Sequence, residues 1–245
     1  MSSAGSAPRP SERRSTEWAH DELRRRIISG ELAPGSVISQ ATIAGELGIS
    51  RTPLREAVRR LQEEGLLLGE PNRRLRVAEA SPDDLDQLYA MRIAMESLAL
   101  TVGVPRMDAG VTDGLAAALE RMERSVLDGR LDLVDEPHRE FHRLLVAPAG
   151  ERFERQARVL WDHTVRYRAV YVHADVVDLS RLLLDAHVEH ASILEAVRQG
   201  DGSLAGARLA RHYARTARTA FSAIDAAREP EAIEAALAVA EERVP

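Results

Sequence analysis

The chain has 245 residues, of which 44% are hydrophobic, and this is enough for two small domains or one large domain with a buried core. It has no cysteine, which excludes disulfides, thiolate zinc sites and thiol nucleophiles and fits a reducing cytoplasm, and no apolar run reaches the roughly 20 residues of a membrane span. The net charge of −6 is unevenly distributed: residues 1–79 carry 13 Arg against 11 acidic residues, and the remainder carries 20 Arg against 28. The first third is therefore the part whose charge suits a nucleic acid partner.

The first fifteen residues, MSSAGSAPRPSERRS, are polar and small, and we expect a flexible tail rather than a signal peptide. After them, hydrophobic spacing predicts three helices that glycines end or separate. Their ranges are 17–29, 40–46 and 51–64. Ser50 is expected to cap the third helix, and Pro53 lies in its first turn, where the missing N–H costs no hydrogen bond.

Two short apolar runs, 66–68 and 75–77, flank the turn-forming sequence GEPNRR and predict a β-hairpin. Three helices followed by a hairpin within about 65 residues are typical of a winged helix-turn-helix domain. We therefore predict such a domain over residues 16–79.

The third predicted helix has two distinct faces. At about 100° per residue the apolar residues fall on one side and an arginine row falls on another; the apolar set is Leu54, Ala57, Val58 and Leu61, and the row is Arg51, Arg55 and Arg59. Arginine binds guanine edges bidentately and also neutralises phosphates. This division is typical of a recognition helix, although a solvated basic helix face has the same pattern. We expect Arg51, Thr52 and Arg55 to read base edges, and Arg59 and Arg60 to contact phosphate. Pro53, in the same first turn, is also expected at the DNA surface.

From residue 83 onward the chain shows helical periodicity and no convincing strand. The predicted helices are 83–103, 108–128, 131–148, 150–173, 178–200, 202–226 and 230–243. Short loops between neighbouring helices predict an antiparallel bundle. The predicted fold is thus mainly α, an N-terminal winged helix-turn-helix plus a C-terminal all-α helical bundle over residues 80–228, with a helical extension over 229–245.

Histidines are concentrated in the second part of the chain. The sequence HREFH places His138 and His142 four residues apart on one side of a helix, where both can reach one metal ion. His190 and His212 lie on two later predicted helices. A histidine on a helix is also commonly a surface or hydrogen-bonded residue, and so spacing alone leaves both interpretations open.

The segments SGELAPG, LGISRTPLREAVRRL and EEGLL resemble the winged-helix domain of the GntR superfamily of bacterial regulators. The resemblance implies a dimer that binds a pseudo-palindromic operator in double-stranded DNA, with the third helix in the major groove and the hairpin tip near the minor groove. The chain departs from the superfamily pattern in two ways. Gln40 and Ala41 replace its usual acidic–basic pair, and Arg74 replaces a hairpin glycine, so that Arg73 and Arg74 are expected to contact the phosphates or the minor groove instead.

Further along, LDQLYAMRIAMESLAL, FHRLL, EHASILEAVRQGD and ARLARHY resemble, in order, the helical effector domain of the FadR subfamily, called FCD. Many members bind a divalent metal ion through an Asp and three His. The matching positions here are His138, where the subfamily has Asp, and His142, His190 and His212. The resemblance implies a metal site built from four imidazoles, which suit zinc, nickel or a similar ion.

The same resemblance implies a small carboxylate effector, with Arg92 matching the residue that pairs with it. Arg92 also has a simpler interpretation, as an intrahelical ion pair with Glu96. Arg168 is a second candidate for the effector pocket. We thus expect a cytoplasmic, nucleoid-associated regulator, a repressor that acts as a homodimer, and not an enzyme; the alternatives are a metal-dependent hydrolase and an architectural DNA-binding protein with no effector.

Overall fold

The computed structural model describes residues 12–69, 74–173, 179–225 and 227–242. Of the side chains in these ranges, those of residues 12–14, 132, 165, 166, 168–173, 179 and 180 are not described. The chain forms two compact units, residues 1–79 and residues 80–245. The mainly helical fold class predicted from the sequence is confirmed.

The first unit contains three helices and a small sheet. The helices are α1 (Glu12–Ile28), α2 (Gln40–Leu47) and α3 (Arg51–Glu63), and the strands are β1 (Val37–Ile38), β2 (Leu67–Leu68) and β3 (Leu75–Val77). The strands are antiparallel in the order β1-β3-β2, so that β1 adds a third strand to the predicted hairpin. Val37 pairs with Arg76, and Leu67 pairs with Val77.

Two local predictions for this unit were wrong. The first helix begins at Glu12 instead of residue 17, because the stretch that follows Pro10 has no helix breaker and contains the good helix formers Glu and Arg. Residues 12–15 therefore belong to α1, while residues 1–11 of the expected tail lie outside the described part of the chain. Ser50 does precede α3, but its side chain makes no capping hydrogen bond; Ser39 instead caps α2 by accepting from the N–H of Thr42.

The core of the first unit orients α3. Leu54, Ala57, Val58 and Leu61 are all buried, as the helical spacing predicted. Gly48, between α2 and α3, has a φ of 63°, a left-handed conformation that favours glycine over other residues. The buried face of α3 therefore packs on the unit, and its opposite face, with the arginine row, is exposed to solvent.

The second unit is a helical bundle. Its α-helices are α4 (Pro82–Gly103), α5 (Ala109–Leu127), α6 (Asp135–Val146), α7 (Glu151–His173), α8 (Leu179–Arg198), α9 (Gly202–Ile224) and α10 (Glu231–Glu241). Short 3-10 turns flank α6, which explains why the sequence predicted one longer helix over 131–148. Within the described ranges, no helix is both long enough and apolar enough to cross a bilayer.

Helices α4 and α9 pack closely at the centre of the bundle. A Cβ atom on Gly206 would lie 2.8 Å from the backbone oxygen of Ser97, and one on Gly202 would lie 2.8 Å from that of Leu100. The Ser97 hydroxyl also donates a hydrogen bond to the Gly206 carbonyl at 3.0 Å. The two glycines therefore permit the backbones to approach, and the side chains of α4 and α9 described below are held at fixed separation.

The last helix, α10, is tied to the bundle at its first turn. The carboxylate of Asp86, on α4, accepts hydrogen bonds from the N–H groups of Ala232 and Ile233 at 3.0 and 2.9 Å. These N–H groups have no partner within their own helix, so that a distant side chain supplies the cap. Ile233 is fully buried.

We expect Gly206→Ala to lower the free energy of unfolding by about 1–3 kcal/mol, because the added methyl group meets backbone atoms that cannot move independently. An alanine in an unhindered helical position would instead stabilise by up to about 1 kcal/mol. Gly114→Ala is the control, since its Cβ meets only the tip of the Leu144 side chain. Urea unfolding followed by circular dichroism measures both, and an unchanged or raised stability for Gly206→Ala would contradict the close packing.

Candidate functional sites

An open groove in the first unit collects most of the predicted DNA-contacting residues. It is lined by Arg51, Thr52 and Arg55 from α3 and by Arg74 beside the hairpin. Gln40 and Ala41, which replace the usual acidic–basic pair of the GntR pattern, line the same groove. Among the described residues, neither Arg51 nor Arg55 forms an ion pair, so that both guanidinium groups have donors available for a ligand.

The remaining predicted contacts are placed differently. Pro53 is buried and does not line the groove. Arg59 is exposed and pairs with Glu56 and Glu63 on its own helix, at 3.3 and 2.5 Å. Arg73 lies outside the described residues. The groove therefore brings together four of the seven predicted residues.

Four histidines meet in the core of the second unit. His138 and His142 project from α6, His190 from α8 and His212 from α9, and one ring nitrogen of each lies within 4.8 Å of the others. The Nε2 atom of His142 is 3.1 Å from Nε2 of His138 and 3.2 Å from Nε2 of His190. All but His138 are buried. Residues separated by more than 70 positions thus share one small space.

The environment keeps the buried histidines neutral. Burial, followed by the neighbouring imidazoles and Arg92, lowers the pKa of His142 well below 6.5. Burial and the neighbours His212 and His187 do the same to the pKa of His190. Burial, with Arg92 and Arg215, lowers the pKa of His212 to about 3. Neutral imidazole is the form that donates a lone pair to a metal ion.

The donor set fits a divalent transition metal ion. Two nitrogens that bind one zinc ion at about 2.1 Å each are at most about 4.2 Å apart. The two Nε2 separations of His142 satisfy this limit, and the outer separation of 4.8 Å among the four nitrogens needs a shift of well under 1 Å. Imidazole suits zinc, nickel and copper, and carboxylate-poor sites do not suit magnesium or calcium.

A buried polar network surrounds His142. The Arg92 guanidinium donates to Glu96 through Nε at 2.8 Å and to the Tyr213 hydroxyl through Nη2 at 2.6 Å. The Tyr213 oxygen also lies 2.6 Å from Glu96 and 3.0 Å from Nδ1 of His142. The intrahelical Arg92–Glu96 pair was foreseen. Tyr213 was missed, although it directly follows His212 in the sequence.

A second polar contact is made by His212. Its Nδ1 atom lies 2.8 Å from a carboxylate oxygen of Glu189, and the other oxygen of Glu189 accepts from Arg215 at 2.7 Å. Burial raises the pKa of Glu189 above its usual value, and the charge of Arg215 opposes this rise only in part. The sequence interpretation passed over Glu189, and its position beside His190 was the available signal.

Two of the cavities that adjoin the histidines share the wall formed by Arg92, His142 and Trp161. The smaller, about 100 Å³, is also lined by His138, His212 and Tyr213. The larger, about 310 Å³, has Glu96 at its wall. Exposed arginines of α6 and α7 surround it: Arg139, Arg143, Arg155 and Arg158. The backbone of Arg168 belongs to α7, but its side chain is outside the described set.

In the presence of a chelator, we expect the free energy of unfolding to fall as the pH drops below about 6.5. The unfolded histidines take up protons near that pH, whereas His142, His190 and His212 in the folded state, with lowered pKa values, do not. Each histidine then lowers the free energy of unfolding by up to about 1.4 kcal/mol per pH unit until its folded pKa is reached. For His212 this extends to a pKa of about 3.

Urea unfolding at intervals from pH 7.5 to 4.5 measures this slope. His212→Asn should show a shallower dependence, since one of the three titrating groups is gone. A stability that is constant from pH 7.5 to 4.5 would contradict the burial of neutral histidines.

Two protein families match the chain. Residues 16–77 match the family of bacterial regulatory proteins called gntR, and residues 87–215 match the FCD domain. The chain is 30% identical over 128 residues to YdhC, an uncharacterized HTH-type transcriptional regulator of Bacillus subtilis, covering 52% of this chain and 57% of that protein. It is 28% identical over 195 residues to the HTH-type transcriptional repressor GlaR of Escherichia coli, covering 78% and 88%.

Among solved structures, E. coli McbR/YncC superposes with a TM-score of 0.72 at 20% identity, over 86% of this chain and 99% of that one. At this identity the likeness concerns the fold alone. The matched families and the related proteins are transcriptional regulators and not enzymes, which confirms the prediction that the chain is not an enzyme.

Proposed function

The chain belongs to the GntR family of bacterial regulatory proteins and carries an FCD domain, and from this premise we propose that it is a cytoplasmic repressor that binds a pseudo-palindromic operator as a dimer and responds to a small carboxylate. The observation that carries the proposal is the groove shared by Arg51, Thr52, Arg55 and Arg74. Donors from α3 and from Arg74, beside the hairpin, face one open space, as contact with both the bases and the backbone of a duplex requires.

The groove divides into two kinds of contact. Arg51, Thr52 and Arg55 lie at the beginning of α3, the part of a recognition helix that reaches base edges in the major groove. Arg74 is exposed beside the hairpin and is suited to phosphate or the minor groove. Because the second helix offers Ala41 instead of a basic side chain, α3 carries a larger share of base reading.

Selection of bound duplexes from a random pool tests the DNA proposal. We expect enrichment of a two-fold symmetric sequence by the full-length protein, and sedimentation of the complex as two chains on one duplex. Fluorescence anisotropy at several salt concentrations then separates phosphate contacts from base contacts. Recovery of unrelated sequences bound with equal affinity would contradict an operator and favour the architectural alternative.

A dimer is supported by an exposed apolar strip on α4. Met91 and Leu98, seven residues apart and therefore on one side of the helix, are 52% and 38% exposed, with Ala94 between them. Sedimentation equilibrium of the protein without DNA is expected to give twice the chain mass of 27.0 kDa. A monomer at micromolar concentration would contradict this part of the proposal.

We further propose that His138, His142, His190 and His212 hold a divalent transition metal ion such as zinc or nickel. The support is the convergence of four ring nitrogens within 4.8 Å and the burial that keeps three of the rings neutral. The bound ion would supply positive charge and a Lewis-acidic partner for a carboxylate. Metal analysis of the purified protein, with and without prior dialysis against a chelator, tests the assignment.

The effector proposal rests on Arg92. It lines both cavities, and the hydrogen bonds to Glu96 and Tyr213 use two of its five N–H donors. A guanidinium held in a buried site is a strong partner for a carboxylate. Arg168 is the second candidate. Thermal shift against a panel of hydroxy, sugar and amino acids tests the class, and a panel that leaves both melting temperature and operator affinity unchanged would contradict it.

A further inference from the structure

We infer that Tyr213 and Glu189 act as positioning residues that hold the ring protons of His142 and His212 on Nδ1, so that both Nε2 lone pairs face the centre of the histidine cluster. This inference rests on the metal-binding part of the proposed function. Neither residue belongs to the four-histidine ligand set. Both act through a ligand, by choosing between the two neutral forms that an imidazole can take.

The argument for Tyr213 is a count of its hydroxyl's hydrogen and lone pairs. The oxygen has one hydrogen to donate and two lone pairs with which to accept. Arg92 Nη2, 2.6 Å away, can only donate, and the Glu96 carboxylate, also 2.6 Å away, can only accept while it is paired with Arg92. The hydroxyl hydrogen therefore goes to Glu96, and one lone pair takes the Arg92 hydrogen.

One lone pair of Tyr213 then remains for His142. The Nδ1 atom of His142 lies 3.0 Å from the Tyr213 oxygen, so that the free lone pair is satisfied when Nδ1 carries the proton and donates. The opposite arrangement would turn the hydroxyl hydrogen toward His142 and leave the Glu96 carboxylate facing an oxygen lone pair at 2.6 Å in the protein interior. Such a buried, unpaired acceptor is costly. With the proton on Nδ1, Nε2 of His142 faces the cluster with its lone pair.

The argument for Glu189 is simpler. Its Oε2 atom lies 2.8 Å from Nδ1 of His212, and because Arg215 pairs with the same carboxylate, Glu189 acts as a hydrogen-bond acceptor. Nδ1 of His212 must then carry the ring proton, which leaves the lone pair on Nε2. Arg215 binds the other oxygen of Glu189 at 2.7 Å and fixes the orientation of the carboxylate.

The two networks therefore prepare the cluster before an ion arrives. Two of its four ligands, one on α6 and one on α9, already present lone pairs without rearrangement of protons. The Arg92–Glu96 pair gains a role in this arrangement, because its geometry fixes the direction of the Tyr213 hydroxyl. A ligand that draws Arg92 away from Tyr213 would also disturb His142.

The tautomers can be read directly by nitrogen-15 correlation spectra of the metal-free protein labelled at histidine. We expect His142 and His212 to show a protonated Nδ1 and an unprotonated Nε2, with assignment from His142→Gln and His212→Asn. A protonated Nε2 in either ring would overturn the inference for that ring. The spectra need no metal, so they decide the inference even if the metal proposal fails.

Metal affinity provides the second test, with zinc or nickel titrated into the metal-free protein. Loss of an outer partner typically lowers affinity 10- to 100-fold, and we expect that loss for Glu189→Ala and Tyr213→Phe. Glu189→Gln, whose amide oxygen still accepts from His212, should restore affinity to within a few-fold of the wild type. Glu195→Ala on α8 and Tyr167→Phe on α7, which remove matched groups that bond elsewhere, are the controls.

The outcomes distinguish a failure of the metal proposal from a failure of the positioning roles. If the wild type binds neither ion, the metal proposal fails, and the tautomer spectra alone judge the positioning roles. If the wild type binds and Glu189→Ala binds equally well with the His212 tautomer unchanged, Glu189 has no positioning role. An equal loss in Glu189→Ala and Glu189→Gln would likewise overturn it, because a charge rather than an acceptor would then be what matters.

Discussion

Arg51→Ala is expected to weaken binding to the selected operator about 5- to 150-fold, because a bidentate arginine–base contact contributes about 1–3 kcal/mol of discrimination. Arg51 begins α3, is exposed, lines the groove and has no ion pair among the described residues, so that its guanidinium is free to bind a base edge. Arg55, one turn later on the same side, is expected to behave in the same way. Fluorescence anisotropy with the selected duplex measures both.

The loss of binding affinity, compared across DNA sequences and salt concentrations, distinguishes base contacts from phosphate contacts. Arg51→Ala should relax the base preference at one position of each half-site. Arg59→Ala should weaken binding to all DNA sequences similarly, and should reduce the slope of log affinity against log salt concentration by about one. Arg59 is held by Glu56 and Glu63, so its effect is expected to be the smaller. Arg25→Ala removes an exposed arginine of α1 that pairs with Glu22 and Glu31 and serves as the matched control. Unchanged operator affinity in Arg51→Ala would show that α3 does not read the operator.

In the winged helix-turn-helix unit, the sequence predicted the features that depend on neighbouring residues. The alternation of apolar and basic residues on α3 defines both its core face and its arginine row, and glycines define where helices end. The pairing of β1 was missed because it depends on a partner strand far along the chain. The start of α1 was missed although the stretch after Pro10 contains good helix formers and no breaker. The resemblance to the GntR superfamily and to the FCD domain, carried by short ordered segments, is confirmed by matches over residues 16–77 and 87–215.

At the histidine site too, the sequence predicted what depends on nearby residues and missed what depends on distant ones. The spacing of His138 and His142 indicated a shared helix face, but His190 and His212 entered the predicted ligand set only through family resemblance. The Tyr213–Glu96 contact joins residues 117 positions apart, and no periodicity within α4 or α9 reveals it. Such contacts follow from the close packing at Gly202 and Gly206, which fixes how the two helices face each other. The metal ion, the carboxylate and the dimer stay predictions.

His190→Ala is expected to abolish the stabilisation of the wild-type protein by zinc or nickel. At an ion concentration of 100 times the dissociation constant, binding adds about 2.7 kcal/mol to the free energy of unfolding. For the helical unit this corresponds to a rise of roughly 5–10 °C in melting temperature, which a chelator should reverse. His190 is fully buried between His142 and His212, so that its loss removes a ligand from the centre of the cluster.

His187→Ala is the matched control for this variant. It lies one turn earlier on α8, does not belong to the cluster, and its Nε2 atom is 3.8 Å from Glu123. We expect its metal-dependent rise to equal that of the wild type, even if its stability without metal is lower. Because each protein is compared with itself, with and without the ion, packing losses cancel from the difference. A metal-dependent rise in His190→Ala as large as that in the wild type would place the ion outside the four-histidine cluster.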